Sequence, residues 1–345
     1  MKAKSGLVKL ISPAAWRTTD TDRDQIKRTT RLAMGLALFG VLSLTPASAG
    51  ASTRTFVSGS GNDNNPCSPE APCRTFAHAI TQTDAGGEII VMDSAEYGTV
   101  AIDRNVTIDA PKGIYAAVNV AQQGTGITIS SPNVTRVELR GLRLISQGAD
   151  STGISYNGAG FLYIDNCVVD GFYGFVPSKG VGITILNAGY IFVKDTTVRN
   201  GSTGILTAQG GFGASITLDQ VHLEGNNFVG LLLRDKHKAT IRNSVVSGNV
   251  NAGFLADVQT SPSELNIEAC TISGNGTGVK ATGPGGNVQG MVRISNSTVS
   301  HNDVGLVIQG STVLSAGNNT IRDNQSVFDV TPNDIVGVMV IYKQR

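Results

Sequence analysis

The sequence predicts an all-β protein, a single-stranded right-handed parallel β-helix solenoid with a short N-terminal capping helix. A unit of about 25 residues recurs along the chain, and each copy holds short apolar segments separated by Gly- and Asn-rich turns. Glycine makes up 42 of the 345 residues without a G-X-Y period, which indicates many turns and excludes collagen. No stretch after Gly86 keeps a helical period of 3.6 residues.

Residues 1–49 predict a signal peptide. Basic residues at Lys27, Arg28 and Arg31 precede an apolar run over residues 32–44, and the small-residue motif Ala47-x-Ala49 follows as a cleavage site. A membrane anchor is the alternative, but the run of 13 residues is shorter than the ~20 that a spanning helix needs. We therefore expect an exported protein, whether periplasmic, cell-surface or secreted, with no membrane span after cleavage.

The charge of the remaining chain argues against nucleic acid as a partner. The first 49 residues hold 8 Lys and Arg against 3 Asp, which leaves 19 basic and 23 acidic residues from Gly50 onward, a net charge of −4. A mildly acidic chain lacks the basic surface that binds a phosphate backbone.

Residues 50–87 are expected to cap the N-terminal end of the solenoid, whose core would otherwise be exposed there. Residues 55–57 predict a strand, and Phe76, Ala79 and Ile80 stand at helical spacing within residues 74–83. Gly86 and Gly87 are predicted to end that helix, and residues 89–91 to begin the strands of the solenoid.

Cys67 and Cys73 bracket a short loop with two prolines, and in an exported chain they predict a disulfide. Two free thiols are the alternative. A zinc site is disfavoured because no further Cys or His stands nearby at ligand spacing, and the sequence predicts no metal and no cofactor.

Residues 88–330 are predicted to form the β-helix. Copies of the repeat start at positions 139, 164, 193, 218, 241, 267, 294 and 316, and a Gly-apolar pair follows most of them. Leucine-rich repeats are the nearest alternative by length, but their Leu and Asn pattern is absent. If neighbouring copies stack at the strand spacing of ~4.8 Å, one apolar column joins Val169, Val198, Leu223, Val246, Ile272, Val299 and Ile321.

Two further columns follow from the same alignment. Asparagines at 226, 249, 275, 302 and 324 share one turn position, where stacked amides can hydrogen-bond and Asn tolerates left-handed backbone. An outward column alternates in charge, as a solvated face requires, through Asp165, Lys194, Asp219, Arg242 and Glu268. Cys167 and Cys270 share a third column at ~19 Å, far beyond disulfide reach, and are interpreted as buried free thiols.

The C-terminal residues 331–345 are predicted to hold a closing strand, because residues 335–342 form an apolar run. No stretch after the signal peptide is apolar enough to cross a membrane.

The Gly- and Asn-rich units resemble the right-handed parallel β-helix superfamily that includes pectate lyases, over about residues 87–330. The opening from Ser58 to Cys67, together with Pro72 to Phe76, is similar to the start of many uncharacterised exported bacterial members. The resemblance implies the fold. It does not imply one activity, because the superfamily includes lyases, hydrolases, esterases, epimerases, adhesins and inert scaffolds.

The catalytic motifs of that superfamily are missing from this sequence. Polygalacturonases carry Asn-Thr-Asp, Asp-Asp, Gly-His-Gly and Arg-Ile-Lys, and the nearest match here is Arg293-Ile294-Ser295. The Asp-Pro-His-Asp motif of alginate epimerases and the aspartate-rich calcium segment of pectate lyases are also absent. If the chain is an enzyme, the resemblance implies a polysaccharide lyase or glycosidase.

Aromatic residues concentrate in residues 156–192, which hold 8 of the 18 Phe and Tyr residues. Exposed Tyr rings at Tyr163, Tyr173 and Tyr190 could stack on sugar faces, since Tyr is apolar in body and polar at its tip. The alternative is that Phe161, Phe172 and Phe192 fill the core or hold down a protruding loop near residues 172–180.

One carboxylate pair could act as general acid and base. Asp170, Arg199 and Glu224 fall in one column, with the two acids ~10 Å apart, near the upper end for inverting glycosidases. The alternative is a surface ion-pair column with Arg199 between two acids, and no catalytic residue is assigned.

Residues 234–238 form the densest charge run. Arg234 and Lys236, together with Arg199, could contact an anionic sugar, and the alternative for the run is a solvated turn. Two functions therefore stay open. One is an exported β-helix that binds or processes an extended polysaccharide, and the other is a non-catalytic envelope or surface-interaction protein, an adhesin or a structural spacer. The sequence leaves the oligomeric state open.

Overall fold

The computed structural model describes residues 52–130, 133–209, 212–329 and 339–341. The predicted signal peptide of residues 1–49 and most of residues 331–345 lie outside these ranges. No helix of the described ranges is long and apolar enough to cross a membrane.

The described chain is a right-handed parallel β-solenoid with one short helix near its N-terminus, as the sequence predicts. One strand from each of three parallel sheets, with the turns between them, makes up a coil, and successive coils stack so that each sheet runs the length of the molecule.

Sheet A has 12 strands, which are β1 (Ser52–Val57), β2 (Thr83–Val91), β5 (Val106–Asp109), β8 (Arg136–Arg140), β11 (Phe161–Asp165), β14 (Gly189–Lys194), β17 (Ala214–Asp219), β20 (Lys238–Arg242), β23 (Ser263–Glu268), β26 (Gly290–Ser295), β29 (Thr312–Ser315) and β32 (Met339–Ile341).

Sheet B has 10 strands, which are β3 (Ala95–Glu96), β6 (Ala116–Val120), β9 (Leu142–Ser146), β12 (Val168–Asp170), β15 (Thr197–Arg199), β18 (His222–Glu224), β21 (Val245–Ser247), β24 (Thr271–Ser273), β27 (Thr298–Ser300) and β30 (Thr320–Arg322).

Sheet C also has 10 strands, which are β4 (Val100–Ile102), β7 (Thr125–Ile129), β10 (Thr152–Tyr156), β13 (Val181–Ile185), β16 (Thr203–Thr207), β19 (Val229–Leu233), β22 (Ala252–Asp257), β25 (Thr277–Thr282), β28 (Val304–Gln309) and β31 (Ser326–Asp329).

The N-terminal end is covered by helix α1 (Phe76–Gln82), which buries Phe76, Ala79 and Ile80. The predicted end of this helix at Gly86 and Gly87 is wrong. Thr83 adopts extended backbone and its hydroxyl donates to the carbonyl of Ala79 at 2.7 Å, so the helix ends at Gln82 and the glycines lie inside β2. The predicted disulfide between Cys67 and Cys73 is present beside this helix.

The core is built from apolar columns that run along the solenoid axis. The predicted column from Val169 to Ile321 is confirmed, since each of its members pairs in register with the next across the strands of sheet B. The Gly-apolar landmark lies in sheet C, where close approach explains the glycine. A Cβ on Gly230 would lie 2.7 Å from the carbonyl oxygen of Gly253.

Two sharp turns close most coils, and each uses one residue in left-handed backbone. The turn from sheet A to sheet B has it at Asn166, Asp195, Gln220, Asn243, Ala269 and Asn296, with φ between 47° and 54°. The turn from sheet B to sheet C has it at Gly171, Asn200, Gly225, Gly248, Gly274, His301 and Asp323.

The asparagine ladder, Asn226, Asn249, Asn275, Asn302 and Asn324, is confirmed as a hydrogen-bonded column. The side chain of Asn249 donates to Oδ1 of Asn275 at 2.9 Å, and the same oxygen accepts from the backbone of Asn249 at 3.0 Å. The left-handed backbone expected at these positions is wrong, because it belongs to the residue just before each of them. The ladder asparagines point inward, where their amides satisfy buried backbone groups.

Cys167 and Cys270 are buried free thiols in the turn from sheet A to sheet B, as predicted. The backbone amide of each donates to a hydroxyl on the next coil, Thr196 for Cys167 and Ser297 for Cys270. Burial raises the pKa of Cys167 to about 12 and that of Cys270 to about 11, so neither thiol is reactive near neutral pH.

Candidate functional site

The outer face of sheet A carries three columns of side chains that point to solvent. They alternate along each strand with residues that face the core, such as Leu162 and Ile164 of β11. One outward column contains Arg136, Phe161, Tyr190, Ser215, Lys238 and Glu264, and a second contains Glu138, Tyr163, Phe192, Thr217, Thr240 and Asn266. The third column holds the charges.

Four rings form a cluster on this surface, which we call the aromatic face: Phe161, Tyr163, Tyr190 and Phe192. Tyr163 stacks on Phe192 with 4.9 Å between ring centroids, and Phe161 stacks on Tyr190 at 5.1 Å. Both separations are close to the strand spacing, so the rings stack along the solenoid axis. Phe161 is 41% exposed and Tyr190 is 51% exposed, and the edges of these rings meet solvent.

The aromatic face is closed on its N-terminal side by cations. The guanidinium of Arg136 lies 4.4 Å from the centroid of the Tyr163 ring, a cation–π contact. Arg136 and Arg140 both pair with Glu138, whose carboxylate is nearly buried between them. This side of the Tyr163 ring is therefore occupied.

The C-terminal side of the aromatic face is open. The next strand places small side chains beside the rings, Ser215 next to Tyr190 and Thr217 next to Phe192. A groove of about 290 Å³ runs beside the rings, from Arg136 and Glu138 past Tyr163 and Phe192 to Thr217, and charged residues line its other side. This volume is near the lower end of known ligand sites, ~300 Å³.

The charged residues of the third outward column line one side of the groove. The predicted alternation is confirmed through Asp165, Lys194, Asp219, Arg242 and Glu268, which pair in register. Arg242 contacts Asp219 at 3.0 Å. The side-chain amide of Asn243 and the guanidinium of Arg242 donate to that carboxylate and lower the pKa of Asp219, so it stays ionised.

The structure brings together only part of the predicted site. Tyr163 and Tyr190 belong to the aromatic face. Tyr173 lies on the turn from sheet B to sheet C and is 45% exposed. Arg199 lies on sheet B, while Arg234 and Lys236 lie in the turn that leads into β20.

The prediction that Phe161 and Phe192 fill the core is wrong. Like Tyr163, they occupy the outward-facing positions that alternate with the core residues of their strands. Those core residues are Leu162 and Ile164 in β11 and Ile191 and Val193 in β14. Phe172 is buried, as that alternative predicts. The alternation of apolar residues within β11 and β14 carries the signal that would have assigned all four rings to one face, while Arg136 was not singled out at all.

The charge run 234–238 is only partly a solvated turn. Lys236 and Lys238 are exposed, but Asp235 and His237 are fully buried. The Asp235 carboxylate accepts from the backbone amide of Gln259 at 2.7 Å and from the hydroxyl of Thr260 at 2.6 Å, and so fixes the equivalent turn of the next coil. The centre of the run is structural.

His237 is held as a neutral ring. Its Nδ1 accepts from the backbone amide of Ala214 at 2.9 Å, so its Nε2 carries the proton and donates to the carbonyl of Ala208 at 3.1 Å. Burial lowers the pKa of His237.

Asp170, Arg199 and Glu224 form one column on sheet B, as expected. Nε and Nη2 of Arg199 both donate to Asp170, at 3.0 and 2.9 Å, and Glu224 instead pairs with Nδ1 of His222 at 2.9 Å. Asp170 is thus held in an ion pair and Glu224 in a contact with His222, both on a different sheet from the aromatic face. The ion-pair alternative is supported in part, because Arg199 pairs with Asp170 whereas Glu224 contacts His222.

Cys67, Cys73 and His78 approach one another within 4.8 Å. The prediction that no further ligand stands near the two cysteines is therefore wrong. Because both sulfur atoms are joined in the disulfide, they cannot act as thiolate ligands.

Comparison with known proteins identifies the fold family. No curated protein sequence matches the chain significantly. Among solved structures, the fold is similar to a GH136 lacto-N-biosidase from Eubacterium ramulus, with 9% identity, TM-score 0.43, and coverage of 84% of this chain and 68% of that one. It is also similar to a rhamnogalacturonan lyase, with 13% identity, TM-score 0.45, and coverage of 79% and 75% respectively.

A third similar structure is the A-module of the mannuronan C-5 epimerase AlgE4 of Azotobacter vinelandii, with 14% identity, TM-score 0.41, and coverage of 83% of this chain and 88% of that one. These similarities concern the fold alone. The family model described as "Right handed beta helix region" matches residues 91–289 and 152–326, and since these ranges span more than half of the sequence, the chain belongs to this right-handed β-helix family.

Proposed function

We propose that this chain is an exported carbohydrate-binding β-helix whose ligand lies on the outer face of sheet A. The observation that carries the proposal is the aromatic face, four nearly parallel rings on the solvent side of the longest sheet, next to an open groove. Exposed apolar side chains in a contiguous group mark an interaction site more often than scattered ones do.

The geometry suits a sugar ring better than a flat apolar ligand. The open faces of Tyr190 and Phe192 look toward Ser215 and Thr217, whose small side chains leave room for a pyranose ring. A sugar that stacks there on Phe192 would have Lys194, Asp219 and Arg242 beside its hydroxyl groups. Apolar stacking with polar groups at the rim is the usual composition of a small-molecule site.

The stacked parallel strands also make the outer face of sheet A long. Coils repeat at ~4.8 Å along the axis, and the same face continues past the groove with Thr240, Lys238, Asn266 and Glu264. An extended polysaccharide can therefore continue along the face, which a closed pocket would not allow.

Glycan binding of ring variants tests the proposal. Purified chain from Gly50 onward is applied to a panel of plant and bacterial glycans, and the affinity of any bound glycan is measured for the wild type, Phe192→Ala and Tyr190→Ala. We expect a loss of about two- to tenfold for each ring, since stacking on one aromatic ring contributes about 0.5–1.5 kcal/mol.

The matched control is Tyr173→Ala, which removes a ring about as exposed as Tyr190 from another part of the molecule. Its affinity should equal that of the wild type. If Tyr173→Ala weakens binding while the two sheet A variants do not, the site lies on the turn and the assignment to sheet A is wrong.

A non-catalytic envelope or surface-interaction protein is the second candidate. The observation that favours it is that both carboxylates of the candidate acid and base pair are engaged by neighbours, Asp170 by Arg199 and Glu224 by His222. Incubating a bound glycan with the protein separates the two functions, because processing releases new reducing ends or unsaturated products and binding alone releases neither.

Export is a separate proposal and rests on residues 1–49. We propose cleavage after Ala49, and N-terminal sequencing of the protein recovered from the periplasm or medium of a bacterial host tests it. A mature chain that starts at Gly50 supports cleavage there, whereas an intact N-terminus in the membrane fraction supports the anchor.

A further inference from the structure

A second groove lies on the other side of the turns that border the aromatic face. It occupies about 440 Å³ at the corner between sheets A and B, and we call it the corner groove. Its wall is the six-residue turn 110–115, which is longer than the turns of one or two residues that follow in the next three coils. This turn therefore overhangs Gly141, Asn166 and Asp195.

Two cations of the corner groove have no anionic partner among the described residues. Lys112 stands on the overhanging turn and Arg143 on the outward side of β9, and both side chains are exposed. The other exposed cations of this region are engaged, Arg140 with Glu138 and Lys194 with Asp195 at 3.5 Å. The corner groove thus differs from the neighbouring face in having unpaired positive charge.

The cations are accompanied by a ring and by polar groups. The guanidinium of Arg143 lies 5.4 Å from the centroid of the Tyr115 ring, which is half exposed. The side chains of Asn166 and Thr197 also line the groove and can hydrogen-bond to hydroxyl groups. An aromatic ring beside a guanidinium suits a ligand that has both a flat apolar side and a negative charge.

The two grooves share a narrow ridge. Arg140, Asp165 and Lys194 line the groove of the aromatic face, and the residue that follows each of them, Gly141, Asn166 and Asp195, lines the corner groove. A ligand on sheet A therefore needs to cross only one turn to reach Lys112 and Arg143.

We propose that the corner groove is a second binding site, which takes the anionic group of an acidic saccharide through Lys112 and Arg143. The proposal rests on the proposed carbohydrate function and extends it to a class of ligand, sugars that carry a carboxylate or a sulfate. The aromatic face provides stacking for any sugar, and the corner groove selects for negative charge.

Matched probes test the charge selection. An oligosaccharide of a uronic acid is compared with its carboxyl-reduced counterpart, which has the same length and linkage without the charge, and with a sulfated counterpart of the reduced chain. We expect the wild type to bind the acidic probes about tenfold more tightly than the reduced one, since charge-assisted hydrogen bonds contribute more than neutral ones.

The double variant Lys112→Gln with Arg143→Gln should lose that tenfold preference and keep its affinity for the reduced probe. The charge-matched control is Lys280→Gln with Arg322→Gln, which removes two cations from other parts of the surface. It should keep the preference. An equal loss in both double variants would show a general effect of net charge and would overturn the proposal, as would an unchanged preference in the first.

The same probes separate failure of this proposal from failure of the proposed function. If the reduced probe binds and Phe192→Ala weakens it, the carbohydrate function stands and only the corner groove is tested by the acidic probes. If neither probe binds the wild type, both proposals fail together. A preference for sulfate but not for carboxylate, or the reverse, identifies which anion the groove accepts.

Discussion

Two stretches of the solenoid have the same backbone and different side chains at equivalent positions. The aromatic segment, residues 136–207, has stacked rings on the outside of sheet A and has Phe172 and Gly201 at the turn from sheet B to sheet C. The ladder segment, residues 214–325, has hydrogen-bonded asparagines at that turn and no aromatic ring among the paired residues of sheet A.

The comparison suggests that the ladder segment mainly stabilises the fold, whereas the aromatic segment provides the surface for ligand recognition. In the ladder segment each buried amide satisfies backbone groups of its own coil and the coils beside it, so the coils are held together internally. In the aromatic segment the stacked rings of sheet A face outward, while Phe172 at the turn is buried in the core. Parallel coils permit this division because each coil contacts mainly its neighbours.

Removing a ladder amide should give the largest effect on stability. Asn275→Ala removes the acceptor of the Asn249 backbone amide, one of the two acceptors of the Asn249 side-chain amide, and a donor to the carbonyl of Val246. A buried unsatisfied amide costs about 1–3 kcal/mol and each further lost hydrogen bond about 1 kcal/mol, so we expect the free energy of unfolding to fall by about 3–5 kcal/mol.

Chemical denaturation followed by circular dichroism measures this loss, with Asn251→Ala as the control, because Asn251 is exposed in the equivalent turn of the preceding coil. An equal effect of the two variants would mean that the ladder does not stabilise this segment more than its surface does.

Loss of the disulfide should act on the cap and not on the ladder. Replacing Cys67 and Cys73 by Ser opens a loop with a sequence separation of 6, and loop entropy predicts a loss of about 2 kcal/mol. Hydrogen exchange should show increased opening in β1 and α1 with unchanged protection in β20 to β25. A reductant should have the same effect on the wild type and none on the variant; faster exchange in the ladder segment would contradict this expectation.

Acid should weaken the junction between the two segments through His237. Burial keeps the pKa of His237 below its usual value in the folded protein, so the unfolded chain takes up the proton first as the pH falls below about 6.5. The free energy of unfolding should therefore be highest above pH 6.5 and should decrease below it, by at most about 1.4 kcal/mol per pH unit from this group.

Denaturation midpoints between pH 7.5 and 5 measure this dependence, and His237→Gln should remove it, although the variant is less stable at every pH because it loses two hydrogen bonds. His222→Gln, at an exposed histidine, is the control. If His237→Gln keeps the full pH dependence, other groups cause it.

Removing an exposed ring should have the smallest effect on the free energy of unfolding. The same change should weaken glycan binding, so its effects on stability and on binding should differ most. Tyr190 is half exposed, and Tyr190→Ser matches the Ser215 that follows it in the column. We expect the free energy of unfolding to change by about 1 kcal/mol or less, the value of one stacked pair. A loss as large as that of Asn275→Ala would show that the rings serve the fold.

Much of the fold could be predicted because a solenoid repeats. Once the copies were aligned, stacking placed Val169, Val198 and Leu223 in one column and Asp165, Lys194 and Asp219 in another. No contact between irregularly spaced, distant parts of the sequence had to be predicted. The disulfide and the capping helix followed from local spacing, at Cys67 and Cys73 and at Phe76, Ala79 and Ile80.

The site was predicted only in part. Tyr163 and Tyr190, expected to contact a sugar, lie together on the aromatic face, but Tyr173, Arg199 and Arg234, expected to contact the same ligand, lie elsewhere. Neighbours along the chain fall on different sheets of the solenoid, so closeness in sequence does not imply a shared surface. A place in the core was considered as an alternative for Phe161 and Phe192, but they take alternate positions to the core residues of β11 and β14 and therefore face outward.

The sequence by itself determined the repeat, the apolar columns and the charged column, because identical positions in successive coils must stack at the strand spacing. Only the tertiary structure decided which columns meet on one face, that Asp235 and His237 turn inward, and that Lys112 and Arg143 border a groove next to the aromatic rings. Those outcomes depend on the lengths and directions of the turns between sheets, which no single coil's sequence pattern specifies.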